Sequence, residues 1–235
     1  MDKDAGKKRA GCEAAKYVER GMTLGLGTGS TARYFVDALA PKAAEGWGLS
    51  GVPTSEETRR QAEAIGIEII VPDETTIIDL AVDGTDEADP ALNLIKGGGG
   101  ALLREKIVAN AARQFIVIAD KSKRVAALGA YPLPVEIEPF GWALAVRNIR
   151  AALSDAGFDG AAMELRAPQG EIFKSDGGHL ILDCALGRIE DPANLDIMLK
   201  AIPGVIETGL FCGMADMIIY GDADGVSIDE ADGRA

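Results

Sequence analysis

Short, uninterrupted apolar runs alternating with helical stripes constrain the first half of this chain more than any other feature. Met22-Thr23-Leu24-Gly25-Leu26, Ile67 to Val71, Ile77 to Val82 and Phe115 to Ala119 read as strands without in–out alternation. That pattern belongs to strands covered on both faces, as in parallel sheets. Between the first two runs, Ala32, Phe35, Val36 and Leu39 fall at i, i+3, i+4 and i+7, the stripe of a helix packed on a sheet. Ala10, Ala14, Tyr17 and Val18 mark one face of a helix over about Lys8 to Glu19. Thr54 with Glu57 predicts a capping box, and Gly66 the stop of the helix between them. A further helix is expected around Arg104 to Arg113, and the loop Ala43 to Gly51 carries no clear element.

The texture changes near Tyr131. Pro132, Pro134 and Pro139 punctuate a strand at Leu133 to Ile137, followed by a helix from about Trp142 to Ala156. Strands at Ala162 to Arg166 and His179 to Cys184 and a helix near Pro192 to Ala201 complete a strand-helix-strand-strand-helix-strand order. Met217-Ile218-Ile219-Tyr220 returns the chain to the first sheet, and the acidic tail Asp222 to Asp232 reads as a turn and edge strand. The expected architecture is α/β: an open, parallel-rich, Rossmann-like sheet with helices on both faces, plus a smaller α+β (ferredoxin-like) domain. The boundaries expected are 1–130 with 207–235 for the Rossmann-like catalytic domain and 131–206 for the inserted one. No internal repeat, low-complexity tract or long linker is apparent.

Composition excludes several classes of function. A formal charge of −13 argues against a nucleic-acid partner, which needs a basic stripe. It would also repel a phosphorylated ligand, so lysines and helix N-termini must reverse the field locally. Cys12, Cys184 and Cys212 lie far apart and His179 is the single histidine, so zinc and redox motifs are missing and an Asp-rich magnesium site is the one metal reading left open. The three cysteines are expected as buried or half-buried thiols, and His179 as a strand-start residue. No apolar run approaches the ~20 residues of a membrane span. The polar start Met1-Asp2-Lys3-Asp4 lacks a secretory h-region, and a cytoplasmic protein is expected.

Three motifs are candidates for a site, and the second falls outside the carboxyl end of the Ile77 to Val82 strand, where ligands gather in parallel sheets. Gly25-Leu26-Gly27-Thr28-Gly29-Ser30-Thr31 joins a strand to a helix, with Ser30 or Thr31 placed to cap it. Its spacing is neither G-x-G-x-x-G nor a P-loop. It reads either as a phosphate cradle or as a tight, capped turn. Asp83-Gly84-Thr85-Asp86-Glu87 can turn two acids inward or form a solvated Asx-turn. Lys96 opens Gly97-Gly98-Gly99-Gly100, a run that suggests backbone held against something. Glu105 follows in the next helix, with Arg104 and Lys106 about 100° to either side. Turned inward it is a candidate base; turned outward it is a surface residue favoured by the helix dipole. Lys121 and Lys123, after the Phe115 to Ala119 strand, and Lys7 and Lys8, ahead of the first helix, are candidate anion contacts or solvated lysines.

In order and spacing, Gly25 to Thr31, Asp83 to Glu87, Lys96 to Lys106 and Ile118-Ala119-Asp120-Lys121-Ser122-Lys123 resemble the A-type ribose-5-phosphate isomerases. Tyr131 to Glu136 and Ile202 to Phe211 match as well, so the similarity spans nearly the whole chain. The resemblance implies an aldose-ketose isomerase that interconverts D-ribose 5-phosphate and D-ribulose 5-phosphate through an enediolate, in the pentose phosphate pathway. It implies no metal, no cofactor, and a homodimer or homotetramer. By the same resemblance Glu105 is the general base, while Asp83 and Asp86 engage hydroxyls and assist ring opening or proton relay. Lys96 and the N–H groups of Gly97, Gly98 and Gly99 stabilise the enediolate. Thr28, Gly29, Ser30 and Thr31, with Lys123 and Lys7, hold the phosphate, and Gly84 and Thr85 contact the substrate. Two alternatives stay open: a phosphosugar-binding regulator module, or a related sugar-phosphate deaminase or lactonase.

Overall fold

A computed structural model describes residues 3–231; Met1 and Asp2 of the polar start and Asp232 of the acidic tail lie outside the described residues. In chain order the first elements are α1 (Lys3–Ala14), β1 (Thr23–Leu26), α2 (Ala32–Ala38), α3 (Ala40–Ala44), β2 (Ser50–Pro53), α4 (Glu56–Ala64) and β3 (Glu68–Ile69). Then come β4 (Leu80–Gly84), β5 (Glu87–Ala88), β6 (Leu94–Ile95), α5 (Leu102–Ala111), β7 (Phe115–Asp120), β8 (Leu133–Ile137) and α6 (Trp142–Asp155). The chain ends with β9 (Ala162–Leu165), β10 (Leu180–Ala185), α7 (Pro192–Lys200), β11 (Val205–Thr208), β12 (Leu210–Phe211), β13 (Met217–Gly221) and β14 (Val226–Glu230). These form two compact units, one of residues up to Thr85, Arg104–Arg124 and Gly213 onward, the other of Asp86–Leu103 and Val125–Cys212.

Among the described residues the first unit holds a seven-stranded sheet ordered β14-β13-β7-β4-β1-β2-β3. All its pairings are parallel except that of β13 with the edge strand β14. Leu24 and Leu26 of β1 join Ala10, Phe35, Val36, Leu80, Val82, Ile116, Ile118 and Ile219 in one core, the face that α1 and α2 cover. Between them Gly25 faces the other way, and a Cβ there would stand 2.5 Å from Cγ1 of Val108 on α5. Helices therefore cover both faces, and the small residue is what lets α5 approach β1.

Several local expectations for this unit fail: α1 spans Lys3–Ala14 rather than about Lys8 to Glu19, so Lys7 and Lys8 lie within it and not ahead of it. The Ile67 to Val71 run forms only the two-residue β3, because it pairs with β2 alone and Val71 stands 90% exposed at the edge. The unassigned loop turns directly into β2, whose Gly51 and Pro53 hide its strand character. The cap of α4 is Ser55, whose hydroxyl accepts from the Thr58 N–H at 3.2 Å. Thr54 is buried instead and donates to the Leu26 carbonyl at 3.2 Å.

In the second unit an antiparallel sheet ordered β11-β8-β10-β9 carries α6 and α7 in the connections. This is the ferredoxin-like βαββαβ arrangement. Leu133, Val135, Ile137, Leu180, Leu182 and Cys184 of its strands pack with Ile149, Leu153, Leu195 and Leu199 of the helices. Burial pushes the Cys184 thiol up to about 12, with the neighbouring Asp183 charge adding to it. Cys12, expected to be at least half-buried, is exposed. His179 precedes β10 and its Nδ1 lies 2.9 Å from the buried Glu136 carboxylate. The segment 131–206 falls within this unit, which also takes in 86–103, because β5 and β6 pair with each other and β6 with β12.

In the first unit α1 meets β13 backbone to backbone. A Cβ on Gly221 would overlap the Gly6 carbonyl, and one on Gly6 would stand 2.6 Å from the Gly221 oxygen. Gly221→Ala should therefore destabilise the protein by about 1–3 kcal/mol through overpacking. The check is a lower urea midpoint at unchanged m value.

Candidate active site

Strand order reverses direction between β1 and β4, the switch point at which open α/β sheets receive ligands. The Gly27 N–H donates to the Val82 carbonyl at 2.9 Å, carrying the ladder past the end of β1. The Asp83 carboxylate at the end of β4 then takes two backbone donors on one oxygen, Thr28 N–H at 3.0 Å and Gly84 N–H at 2.7 Å. Asp83 is 3% exposed, and a Cβ on Gly27 would stand 2.5 Å from its Cα and overlap its carboxylate. Only glycine lets this turn lie against this acid.

Beneath the turn the Thr28 hydroxyl meets those of Thr54 at 2.6 Å and Thr58 at 3.3 Å. The Thr58 hydroxyl in turn donates to the Gly27 carbonyl at 2.9 Å. Thr58 escapes the sequence reading and Thr54 reads there as a helix cap, although the Thr–Ser–x–x–Thr cluster ahead of α4 carries both hydroxyls. Gly29 takes the left-handed φ of 109°. Lys7 on α1 donates to the Ser30 hydroxyl at 3.0 Å and lies 3.8 Å from Asp4. Thr31 occupies the N-cap position of α2 but makes no side-chain cap bond, contrary to the expected Ser30 or Thr31 cap.

The second glycine turn follows β6. The Gly100 N–H closes it on the Gly97 carbonyl at 2.9 Å, with left-handed φ of 98° at Gly97 and 86° at Gly100. The Gly98 N–H donates to Oδ2 of Asp86 at 2.7 Å. A Cβ on Gly98 would stand 2.6 Å from both Oδ1 of Asp86 and the Tyr131 hydroxyl, and one on Gly100 would overlap the Phe173 ring. Lys96 is 2% exposed; its N–H donates to the Gly209 carbonyl at 2.8 Å and its ammonium lies 5.4 Å from the centre of the Phe211 ring. Burial and the Asp86 charge raise the Tyr131 hydroxyl above its ordinary range, opposed by Arg166. The buried Glu87 carboxylate accepts the Tyr131 N–H at 2.6 Å and the Gly129 N–H at 2.7 Å, which fixes that segment.

Glu105 sits in the first turn of α5 and is 4% exposed. Its neighbour Arg104 donates to Glu56 on α4 at 3.3 Å. Lys123 ends a single 3-10 turn after β7, capped by Asp120 accepting the Ser122 N–H at 3.0 Å. Thr85 and Gly84 are half-buried after Asp83. The structure thus joins Lys7 with Ser30 and Thr28 with Asp83 and Gly84 in the first unit, and Asp86 with Gly98 in the second. Among the described residues, no group of three or more His, Cys, Asp or Glu side chains is placed to hold a metal ion.

The sequence model of ribose 5-phosphate isomerase A (phosphoriboisomerase A) matches residues 50–225. The chain belongs to this family. The ribose-5-phosphate isomerase A of Nitrobacter hamburgensis is 51% identical over 230 residues, 98% of this chain and 99% of the relative. Among solved structures, a ribose-5-phosphate isomerase in complex with phospho-erythronic acid is 40% identical, with a TM-score of 0.89 over 98% of this chain and all of that one. The ribose 5-phosphate isomerase of Plasmodium falciparum is 34% identical, with a TM-score of 0.93 over 98% of this chain and 100% of that one. The family match takes in Asp83, Asp86, Lys96 and Glu105, and the full-length relatives extend the likeness across Thr28 to Thr31. In an isomerase of this family, Gly98→Ala should keep its thermal midpoint within a few degrees, since its new methyl meets only side-chain ends. Its turnover should fall by about 10²-fold, the cost of displacing a site group by ~1 Å. Turnover at the parent's rate would show that the Asp86–Gly98 contact has no part in the reaction.

Proposed function

We propose that this chain interconverts D-ribose 5-phosphate and D-ribulose 5-phosphate, with the Glu105 carboxylate as the base. The observation that carries the activity is the half-identity, over nearly its full length, to ribose-5-phosphate isomerase A. Burial of Glu105 to 4% exposure supports its role, because a general base must meet the substrate rather than bulk water.

The open-chain aldose loses its C2 proton to Glu105, and the electron pair forms the C1–C2 double bond of an enediolate with negative charge on O1. Glu105 returns the proton to C1, while a proton passes from O2 to O1, leaving the ketone at C2. Asp83 and Asp86 engage the hydroxyls and assist ring opening and this relay. The buried Lys96 ammonium and the N–H groups of the Gly97 to Gly99 turn stabilise the oxyanion. With the Gly98 N–H already on Asp86, Gly97 and Gly99 carry most of that part. Thr28, Gly29, Ser30 and Thr31 hold the phosphate with Lys7 and Lys123, and Gly84 and Thr85 line the sugar. No electrons leave the substrate, so the chemistry calls for no cofactor, and fixed positive charge lets it run without a metal. We place the protein in the cytoplasm, in the pentose phosphate pathway, as a homodimer or homotetramer acting on a free phosphosugar. No nucleic acid takes part, and among the described residues no helix is long and apolar enough to cross a membrane.

Ribulose 5-phosphate should form from ribose 5-phosphate in excess chelator; none formed would end the proposal. Glu105→Gln should lower kcat by about 10²–10⁴-fold with little change in KM. Lys7→Ala should instead raise KM, since it removes charge from the phosphate end. Near-parental kcat in the first, or unchanged KM in the second, removes that residue from its role.

A further inference from the structure

Arg166 follows β9, and its N–H extends the ladder to the Ile181 carbonyl at 2.8 Å. Glu164 pairs with Asp183 on β10, so Arg166, two residues on, lies on the same face and meets Asp183 diagonally. The guanidinium donates to both Asp183 oxygens, from Nε at 2.9 Å and Nη2 at 2.5 Å. Its Nη1 donates to the carbonyls of Gly97 at 2.8 Å and Gly98 at 3.1 Å. The side chain is 13% exposed and lies 6.0 Å from the centre of the Phe173 ring, the same ring that abuts Gly100. One planar fork thus joins a carboxylate to two successive peptide carbonyls, which a lysine ammonium cannot reproduce.

A trans peptide is planar, with its C=O and N–H pointing in opposite directions. Holding the Gly97 oxygen therefore sets the direction of the Gly98 N–H, the donor that Asp86 receives. Holding the Gly98 oxygen sets the Gly99 N–H in the same way. Glycine backbone is otherwise the freest in the chain, so this turn needs an external restraint to present donors in fixed directions. We propose that Arg166, fastened by Asp183, is a positioning residue for the isomerisation, holding the Gly97–Gly99 peptides so that the Gly99 N–H and Asp86 meet the reacting oxygens. This rests on the isomerase reading above. Preorganised donors act on the charge that develops in the transition state, so the effect belongs in kcat rather than in KM.

The test is steady-state kinetics on ribose 5-phosphate with the full-length protein and its Arg166→Met, Arg166→Lys and Asp183→Asn variants, with thermal unfolding alongside. Expected are a fall in kcat of about 10²-fold for Arg166→Met and about 10-fold for Arg166→Lys, both with KM within about threefold. Asp183→Asn keeps one acceptor and should lose less than Arg166→Met. A kcat within twofold of the parent in the Arg166 variants, or a loss confined to KM, overturns the positioning role. Should Arg166→Met fail to fold, Arg166→Lys decides by the same criteria. An inactive parent sinks the isomerase reading and this inference together; an active parent with unimpaired Arg166 variants sinks only the inference.

Discussion

A carboxylate set against a glycine, twice over, is the constraint on which the rest of this molecule depends. Asp83 takes the Thr28 and Gly84 N–H groups and stands where a side chain on Gly27 would be. Asp86 takes the Gly98 N–H and stands where a side chain on Gly98 would be. Each acid fixes a glycine turn, the first with help from the Thr28 hydroxyl and the second with no side chains of its own, and each turn spreads the acid's charge over N–H dipoles. The parallel sheet delivers the first pair, since Asp83 ends β4 beside β1 at the switch point. The β5–β6 hairpin delivers the second, with the Asp86 N–H on the Ile95 carbonyl at 2.9 Å.

This arrangement also answers the electrostatic difficulty of an acidic protein handling a phosphosugar. The net charge is −13, yet the acids nearest the two turns accept backbone donors, and Lys7 is tied to Ser30. Lys96 is buried beside an aromatic ring rather than spread over the surface. Local donors and fixed cations, not the overall field, set the potential a bound anion would feel.

Much of this was legible in the sequence where chemistry forces residue identity. Turns laid against a carboxylate call for glycine, so Gly25 to Thr31 and Lys96 to Gly100 stood out in the sequence, as did Asp83 to Glu87. The apolar runs at β1, β4 and β7 were equally plain, because strands covered on both faces leave continuous hydrophobic text. Elsewhere the signal was too short or too distant. The two residues of β5 and of β6 show no period, and β2 has Gly51 and Pro53 within its four residues. Thr54 imitated a cap that Ser55 provides, since adjacent hydroxyls suit either role. Tyr131 and Arg166 reach the glycine turn from far along the chain, and no local pattern announces such partners.

The central claim is that one buried carboxylate, Glu105, carries a proton between neighbouring carbons of the sugar. Its most direct test is mass-spectrometric measurement of deuterium at C1 of the ribulose 5-phosphate formed from ribose 5-phosphate deuterated at C2. The account predicts that the intact protein carries a measurable share of that deuterium to C1, the rest being lost from Glu105 to solvent, and that folded Glu105→Gln carries essentially none over the same interval. Transfer by that variant at the parent's rate would contradict it.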